Sequence, residues 1–285
     1  MNQPYAEVIG DPIAQSKSPA IHNFWIGKLG IDAEYRAHHV TAEGLEEYLR
    51  SRRKDANWRG CNVTMPHKLA VIPLLDALDP LAEKIGAVNT IIHQPDGQLV
   101  GLNTDAHGFI EPLAQELDQR QLFRMVRILG TGGAARAIVA MLGEHGFTIV
   151  LAGRNSKKAR AILEELAPDG DHHAVELTHF AEPSDFTFDD REGCFDLVVN
   201  ASPLGMRGQP ELAFDWSHAP PCAIAYDIVT DPLETDFLNN AGAAGHKTID
   251  GLNMLIGQAA FAFERFFGEA PPREYDAELR GILTQ

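Results

Sequence analysis

The most constraining stretch of the sequence is Leu129-Gly130-Thr131-Gly132-Gly133-Ala134-Ala135, which closes an apolar run at 125–129 and opens a helix-like run at 134–145. A strand that turns at once into a helix needs glycine where the backbone bends and where another group comes close. The pattern G-x-G-x-x-[GA] in that setting leaves the first-turn amides of the helix facing a diphosphate. A plain glycine-rich turn has the same composition, so the setting carries the reading. A further strand-like run at 148–151 completes a strand–helix–strand unit. The expectation is a dinucleotide-binding half, with Gly130, Gly132, Gly133 and Ala134 against the diphosphate.

The rest of the chain alternates in the same way, which predicts an α/β protein. Residues 5–10 read as a strand. Ser18, as a cap, and Pro19 in the first turn start a helix that stops at Gly30. Strands are expected at 35–40 and 60–63, with a helix at 43–53. Runs at 87–92 and 99–102 flank Gln94-Pro95-Asp96-Gly97, a hairpin turn. The first hundred residues therefore predict a mixed sheet with helices. The pattern changes near Asp105: a connecting helix at 106–117, the glycine-loop unit, a helix at 157–166, a polar loop-rich stretch at 168–193, strands at 195–199 and 223–226, and an apolar helix at 252–267. A chain of 285 residues suits two domains. The expected division is 1–105 for a substrate domain, 106–250 for the dinucleotide half, and 251–285 for helices that return to the first domain.

Charge narrows the ligands. With 24 basic and 40 acidic side chains the formal net charge is -16, which argues against nucleic acid and against an anionic membrane surface. A small anion then needs local donors that reverse the global field. No apolar run reaches spanning length. Residues 1–12 show no basic region followed by an apolar run, and Cys61, Cys194 and Cys222 stand far apart. Reduced thiols and a cytoplasmic location are expected. The twelve histidines are scattered, so no metal is expected.

The end of the second strand of the unit reads the ribose. An NAD site usually ends that strand with Asp or Glu on the 2′-hydroxyl. Here it reads Leu151-Ala152-Gly153-Arg154-Asn155-Ser156-Lys157-Lys158, with no acid. Arg154 and Lys158 suit a 2′-phosphate, with the guanidinium also able to stack on adenine. The competing reading is a solvated basic helix start, but basic residues there oppose the helix dipole. NADP is favoured, with NAD as the alternative.

In the first half, Gly60-Cys61-Asn62-Val63-Thr64-Met65-Pro66-His67-Lys68 and Gly101-Leu102-Asn103-Thr104-Asp105 are two strand ends that break into polar turns. A lysine and an aspartate so placed can share one crevice and exchange a proton with a carbinol as hydride leaves. By spacing alone they read equally as surface residues.

Taken together, these motifs resemble the shikimate dehydrogenase family over nearly the whole chain. Gly10 to Pro19 with His22-Asn23 resembles its opening substrate motif, which implies that Ser16 and Ser18 hold a substrate carboxylate. Asn62 to Lys68, Ile85-Gly86-Ala87-Val88-Asn89-Thr90 and Asn103-Thr104-Asp105 resemble the next three. They imply Lys68 and Asp105 as the catalytic pair, with Thr64, Asn89 and Asp105 on ring hydroxyls. Asn200-Ala201-Ser202-Pro203-Leu204-Gly205-Met206 resembles a cofactor-side loop, bringing in Ser202. Gly251 to Gln258 resembles the closing motif, with Gln258 on substrate and Gly251 and Met254 beside the nicotinamide; the family's ribose motif adds Asn155 to Arg154. The resemblance implies an N-terminal mixed-sheet substrate domain and a C-terminal Rossmann domain. It also implies a monomer or homodimer and reversible NADP-dependent reduction of 3-dehydroshikimate to shikimate in aromatic amino acid biosynthesis. This chain departs from the family at two places: Thr230 stands where a tyrosine is usual, and Gly153 where the ribose motif usually begins with asparagine. They keep open a quinate/shikimate dehydrogenase or a related paralogue using NAD. A dinucleotide-binding regulator without catalysis is the non-enzyme alternative, and the intact Lys68 and Asp105 count against it.

Overall fold

The computed structural model describes residues 3–188 and 193–285. The chain divides into two compact units, one running to Gly108 and resuming at Ile256, the other covering Phe109–Leu255.

The first unit is built on a six-stranded sheet. β1 (Tyr5–Gly10) is buried at every position, including Glu7, whose carboxylate accepts from Tyr48 Oη and Arg52 Nε, both at 2.7 Å. α1 (Ser18–Leu29) begins at Ser18, one residue earlier than a Ser18 cap would set it. Lys17 takes the cap position, and the first helical bond runs from Ile21 N–H to the Lys17 carbonyl. Ser16 Oγ instead accepts the Ser18 N–H at 3.3 Å. The helix ends at Gly30, left-handed at φ 65°. Then come β2 (Glu34–His39), α2 (Leu45–Arg52), β3 (Trp58–Val63), β4 (Ala77–Leu78), α3 (Pro80–Ile85), β5 (Thr90–His93) and β6 (Leu99–Leu102). Neither β4 nor α3 is expected from the sequence. Asp79 caps α3, accepting from Ala82 N–H at 2.6 Å, but two- and six-residue elements are too short to show a period.

The strand order is β2-β1-β3-β5-β6-β4. β1 runs parallel to β2 and β3, while β5 is antiparallel to β3 and β6. The hairpin turn closes as expected, Gly97 N–H donating to the Gln94 carbonyl at 2.9 Å. Asn62 registers with Thr90, and Thr90 with Leu102. The carboxyl ends of β1, β3 and β6 and the amino end of β5 therefore share one edge. Beneath it Ile9, Trp58, Val63, Ile91 and Leu99 form the core, each such side chain contributing about 1.5–3 kcal/mol by burial.

α4 (Asp105–Ile110) follows β6. The single helix expected over 106–117 is corrected: a 3-10 turn at Glu111–Leu113 interrupts it before α5 (Ala114–Leu117). Pro112 has no N–H to carry the helical ladder.

The second unit continues with β7 (Phe123–Leu129), α6 (Gly133–Glu144), β8 (Thr148–Gly153), α7 (Ser156–Leu166), β9 (His173–Glu176), β10 (Cys194–Asn200), β11 (Ile224–Asp227), α8 (Asp236–Ala243) and β12 (Lys247–Ile249). All pairings are parallel, in the order β12-β11-β10-β7-β8-β9. Counted from β7 this is the 3-2-1-4-5-6 order of a Rossmann fold. Its ligand crevice lies at the carboxyl ends of the two strands where the order reverses, here β7 and β10. The polar stretch at 168–193 is corrected in part. It contains β9 and a 3-10 turn at Leu177–Phe180, and β9 went unread because it is a polar edge strand. Residues 189–192 of that stretch lie outside the described residues. α8 and β12 were also unexpected; Thr235 caps α8 through Leu238 N–H.

α9 (Gly251–Phe267) passes from the second unit into the first, and α10 (Asp276–Leu283) belongs to the first. There α10 is held to α1 by Lys17 Nζ on the Leu283 carbonyl at 2.6 Å and by the Lys28–Glu278 pair at 2.7 Å. Among the described residues no helix is long and apolar enough to cross a membrane.

Candidate active site

Lys68 follows β3 through a short turn in which His67 N–H donates to the Thr64 carbonyl. His67 is buried, its Nε2 2.6 Å from the Val40 carbonyl, and the Lys68 carbonyl accepts Val88 N–H at 2.8 Å. The backbone on both sides of the lysine is thus pinned. Its Nζ lies 2.5 Å from Asp105 Oδ2, with the lysine side chain 16% and the aspartate 7% exposed. A pair so shielded loses hydration, so it needs further hydrogen bonds to hold its geometry.

Those bonds come from the same sheet edge. Asn89 Nδ2 donates to Asp105 Oδ1 at 2.8 Å and to Thr104 Oγ1 at 2.9 Å, and Asn89 Oδ1 accepts Thr104 N–H at 2.7 Å. Gln258 Oε1 is 3.3 Å from Thr104 Oγ1 and 3.5 Å from Asn89 Nδ2. Asn103 ties the turn below, donating to the Ala87 carbonyl at 2.9 Å. Lys68, Asn89, Asp105 and Gln258 therefore come together as one network. Thr104 and Asn103 complete it without having been singled out as site residues. Their signal was present, since a polar triplet directly after a buried strand has to bond something.

Ser16 and Ser18 lie on the loop from the end of β1. Ser18 is 5% exposed, and Ser16, half-buried, accepts the Ser18 N–H and keeps its own O–H to donate. Thr64 meets the same loop: a Cβ on Gly10 would stand 2.5 Å from Thr64 Cγ2 and 2.9 Å from the Met65 carbonyl oxygen. Gly10 is what lets the two loops approach.

In the second unit the glycine loop has the build a dinucleotide requires. Gly130 sits at φ 131°, and a Cβ there would meet the Ala201 carbonyl oxygen at 2.6 Å and Ser202 N at 2.9 Å. Only glycine allows the loops after β7 and β10 to abut. At Gly132 a Cβ would meet nothing within 4 Å, so the loop faces open space. Gly132 caps α6 with no side-chain bond to the first-turn amides, and no acid lies in that turn. These residues fit a diphosphate. At the end of β8, Arg154 and Lys158 are exposed. Asn155 is not free in the same way, because its Oδ1 accepts from Lys157 N–H at 3.0 Å and Lys158 N–H at 3.3 Å and so caps α7.

Ser202 is likewise occupied, its N–H and Oγ both donating to Asn200 Oδ1, at 3.1 and 2.8 Å. Asn200 Nδ2 reaches the Leu204 carbonyl and Asp227 Oδ1, and Thr235 Oγ1 donates to Asp227 Oδ2 at 2.7 Å. Burial pushes the Asp227 carboxyl above the usual range, against the pull of these donors. Asn200 and Asp227 shape the loops after β10 and β11, a role their sequence positions do not signal. Gly251 opens α9 against the Val229 carbonyl, 2.2 Å from where a Cβ would lie, and Met254 is buried. Among the described residues no group of three His, Cys, Asp or Glu side chains is placed to hold a metal ion.

Residues 8–91 match the shikimate dehydrogenase substrate binding domain, and residues 251–278 the shikimate 5'-dehydrogenase C-terminal domain. A shikimate dehydrogenase (NADP(+)) of Sphingopyxis alaskensis is 49% identical over 99% of this chain and 97% of its own length. One from Paramagnetospirillum magneticum is 41% identical over 98% and 97%. Among solved structures, shikimate 5-dehydrogenase of Thermus thermophilus in complex with NADP(H) and shikimate aligns at a TM-score of 0.82 and 34% identity, over 99% of this chain and all of that one. Quinate dehydrogenase of Corynebacterium glutamicum in complex with NAD also reaches 0.82, at 30% identity over 98% of this chain and 99% of that one.

Proposed function

The chain belongs to the shikimate dehydrogenase family, and on that premise we propose that it catalyses the reversible NADP-dependent reduction of 3-dehydroshikimate to shikimate. The observation that carries the chemistry is the Lys68–Asp105 pair, locked by Asn89 and Gln258 at one sheet edge. When bound, the nicotinamide cofactor supplies the hydride for reduction and accepts it in oxidation. The Gly130–Gly133 loop and the first turn of α6 hold its diphosphate, and Arg154 and Lys158 its 2′-phosphate.

The residues of the first unit do the rest. Ser16 and Ser18 donate to the substrate carboxylate, which supplies the local anion site that the net charge of -16 makes necessary. Thr64, Asn89 and Asp105 orient the ring hydroxyls, and Gln258 closes the set. As hydride reaches the carbonyl carbon, negative charge grows on the oxygen. The Lys68 ammonium stabilises that charge and gives up its proton to form the hydroxyl. In oxidation the same nitrogen takes the hydroxyl proton back. Asp105 holds the lysine nitrogen in place, 2.5 Å from its Oδ2. We place the enzyme in the cytoplasm, as a monomer or homodimer.

Thr230 supports one further reading. Without an aromatic ring at that position the chain suits a roomier ring acid such as quinate. Initial rates with shikimate and quinate, each with NADP and NAD, separate the two. Highest kcat/KM for shikimate with NADP is expected, and a preference for quinate with NAD would replace this assignment.

A further inference from the structure

Gly153 ends β8 within a parallel ladder, opposite Glu176. It is not among the glycines with positive φ, so its backbone conformation is open to any residue. A glycine in a strand with no conformational demand marks a close approach by another group. The approaching group is Thr131: a Cβ on Gly153 would stand 2.7 Å from Thr131 Cγ2 and 3.5 Å from Thr131 Oγ1. Thr131 occupies the free position of the glycine loop, between Gly130 and Gly132. Its side chain fills the space that a side chain at the end of the second strand would take.

That strand end is where a dinucleotide fold reads the adenosine ribose. Thr131 carries a hydroxyl to it from the neighbouring loop. The residue is half-buried, and its Oγ1 makes no hydrogen bond among the described residues. The next residue after Gly153 is the exposed Arg154. A hydroxyl bonded to a phosphate dianion forms a charge-assisted bond, stronger than the neutral one it makes with a ribose 2′-hydroxyl. We propose that Thr131 is a specificity-determining residue for the cofactor, its hydroxyl donating to the 2′-phosphate beside Arg154 in place of a side chain at 153. The inference rests on the reading that this loop binds NADP.

Calorimetric titration of NADP+, NAD+, adenosine 2′,5′-bisphosphate and AMP tests it without turnover. Thr131→Val keeps the packing on Gly153 and removes the hydroxyl. It is expected to weaken NADP+ and the bisphosphate about tenfold and to change NAD+ and AMP by less than about twofold. Thr131→Ser, which keeps the hydroxyl, should retain wild-type affinity for NADP+. In Thr131→Ala the space is vacated, and adding Gly153→Asn should restore part of the phosphate preference. Wild-type affinity in Thr131→Val, or equal losses for phosphorylated and unphosphorylated ligands, overturns the proposal. If Gly153→Asn restores nothing, the exchange of volume between the two positions is wrong. A wild-type protein that binds NAD+ and not NADP+ would overturn the NADP reading itself, which keeps the two failures apart.

Discussion

At the edge of the first sheet, Lys68, Asn89, Thr104, Asp105 and Gln258 are bonded to one another. In the second unit the corresponding stretch, Gly130 to Gly133, offers backbone, and the charged groups proposed to complete it, Arg154 and Lys158, stand exposed. The difference follows from the two tasks. A proton has to leave one defined atom, so the donor must be held in place before the substrate arrives, and a side-chain network does this. A diphosphate is the same in every dinucleotide, and backbone amides at a helix start grip it whatever the side chains are. Cofactor identity is then left to a few peripheral side chains.

The contrast breaks first at Lys68. Lys68→Ala is expected to lower kcat by about a hundred- to ten-thousandfold, the usual contribution of a positioned proton donor, with the dissociation constant of NADP+ nearly unchanged. Steady-state rates and a cofactor titration check both halves, and wild-type turnover would remove the lysine from the chemistry.

Gly130→Ala is the mirror experiment on the backbone side. The new Cβ needs φ 131° and meets the Ala201 carbonyl at 2.6 Å. A loss of about 2–3 kcal/mol in stability is expected, together with at least tenfold weaker NADP+ binding. Unaltered urea midpoint and affinity would mean that the loop has slack the geometry does not indicate.

The packing beneath the network is sharpened by pH. His22 is stacked on Tyr35 with ring centroids 3.9 Å apart, and Tyr35 Oη donates to Asn62 at 2.5 Å. Burial lowers the His22 pKa from 6.5 to about 3. The folded chain thus keeps the ring neutral, while the unfolded chain protonates it below 6.5. Its stability contribution is intact above that pH and is lost as pH falls toward 3. Between pH 7 and pH 5 the loss is about 2 kcal/mol. Urea unfolding at the two pH values should show this extra loss in the wild type and not in His22→Phe; equal losses in both would assign the acid sensitivity elsewhere.

The smallest effect falls on the exposed side. Arg154→Ala should raise KM for NADP about tenfold, or about 1.4 kcal/mol for one charge-assisted contact, and change KM for NAD less. A larger effect on NAD would make Arg154 an adenine platform.

Much of this was legible in the chain. Long, strongly patterned elements such as β7, α6, α7 and α9 lie within one or two residues of where periodicity puts them. The glycine loop and the two polar strand ends mark the site. What escaped was short or polar: β4, β12 and the exposed edge strand β9 carry too few residues to set a period. The division of labour among neighbours escaped as well. Ser18 reads as a cap, yet Lys17 takes that position and Ser18 N–H donates to Ser16 Oγ. Asn155 reads as a cofactor residue, and its Oδ1 also caps α7. Asn200 is a plain strand end until Ser202 and Asp227 converge on it.

The amino-acid sequence by itself determined the α/β class, the Rossmann half, and the residue types that carry the chemistry, because those depend on local periodicity and on motifs a few residues long. Only the tertiary structure decided which of these residues touch. Lys68 and Asp105 are separated by 37 positions, and they meet because β5 runs antiparallel between β3 and β6, bringing the ends of both strands to one edge. Thr131 and Gly153 are linked by the pairing of β7 with β8. Such contacts depend on strand order and register, which arise from how whole faces pack, and no window of neighbouring residues contains that information.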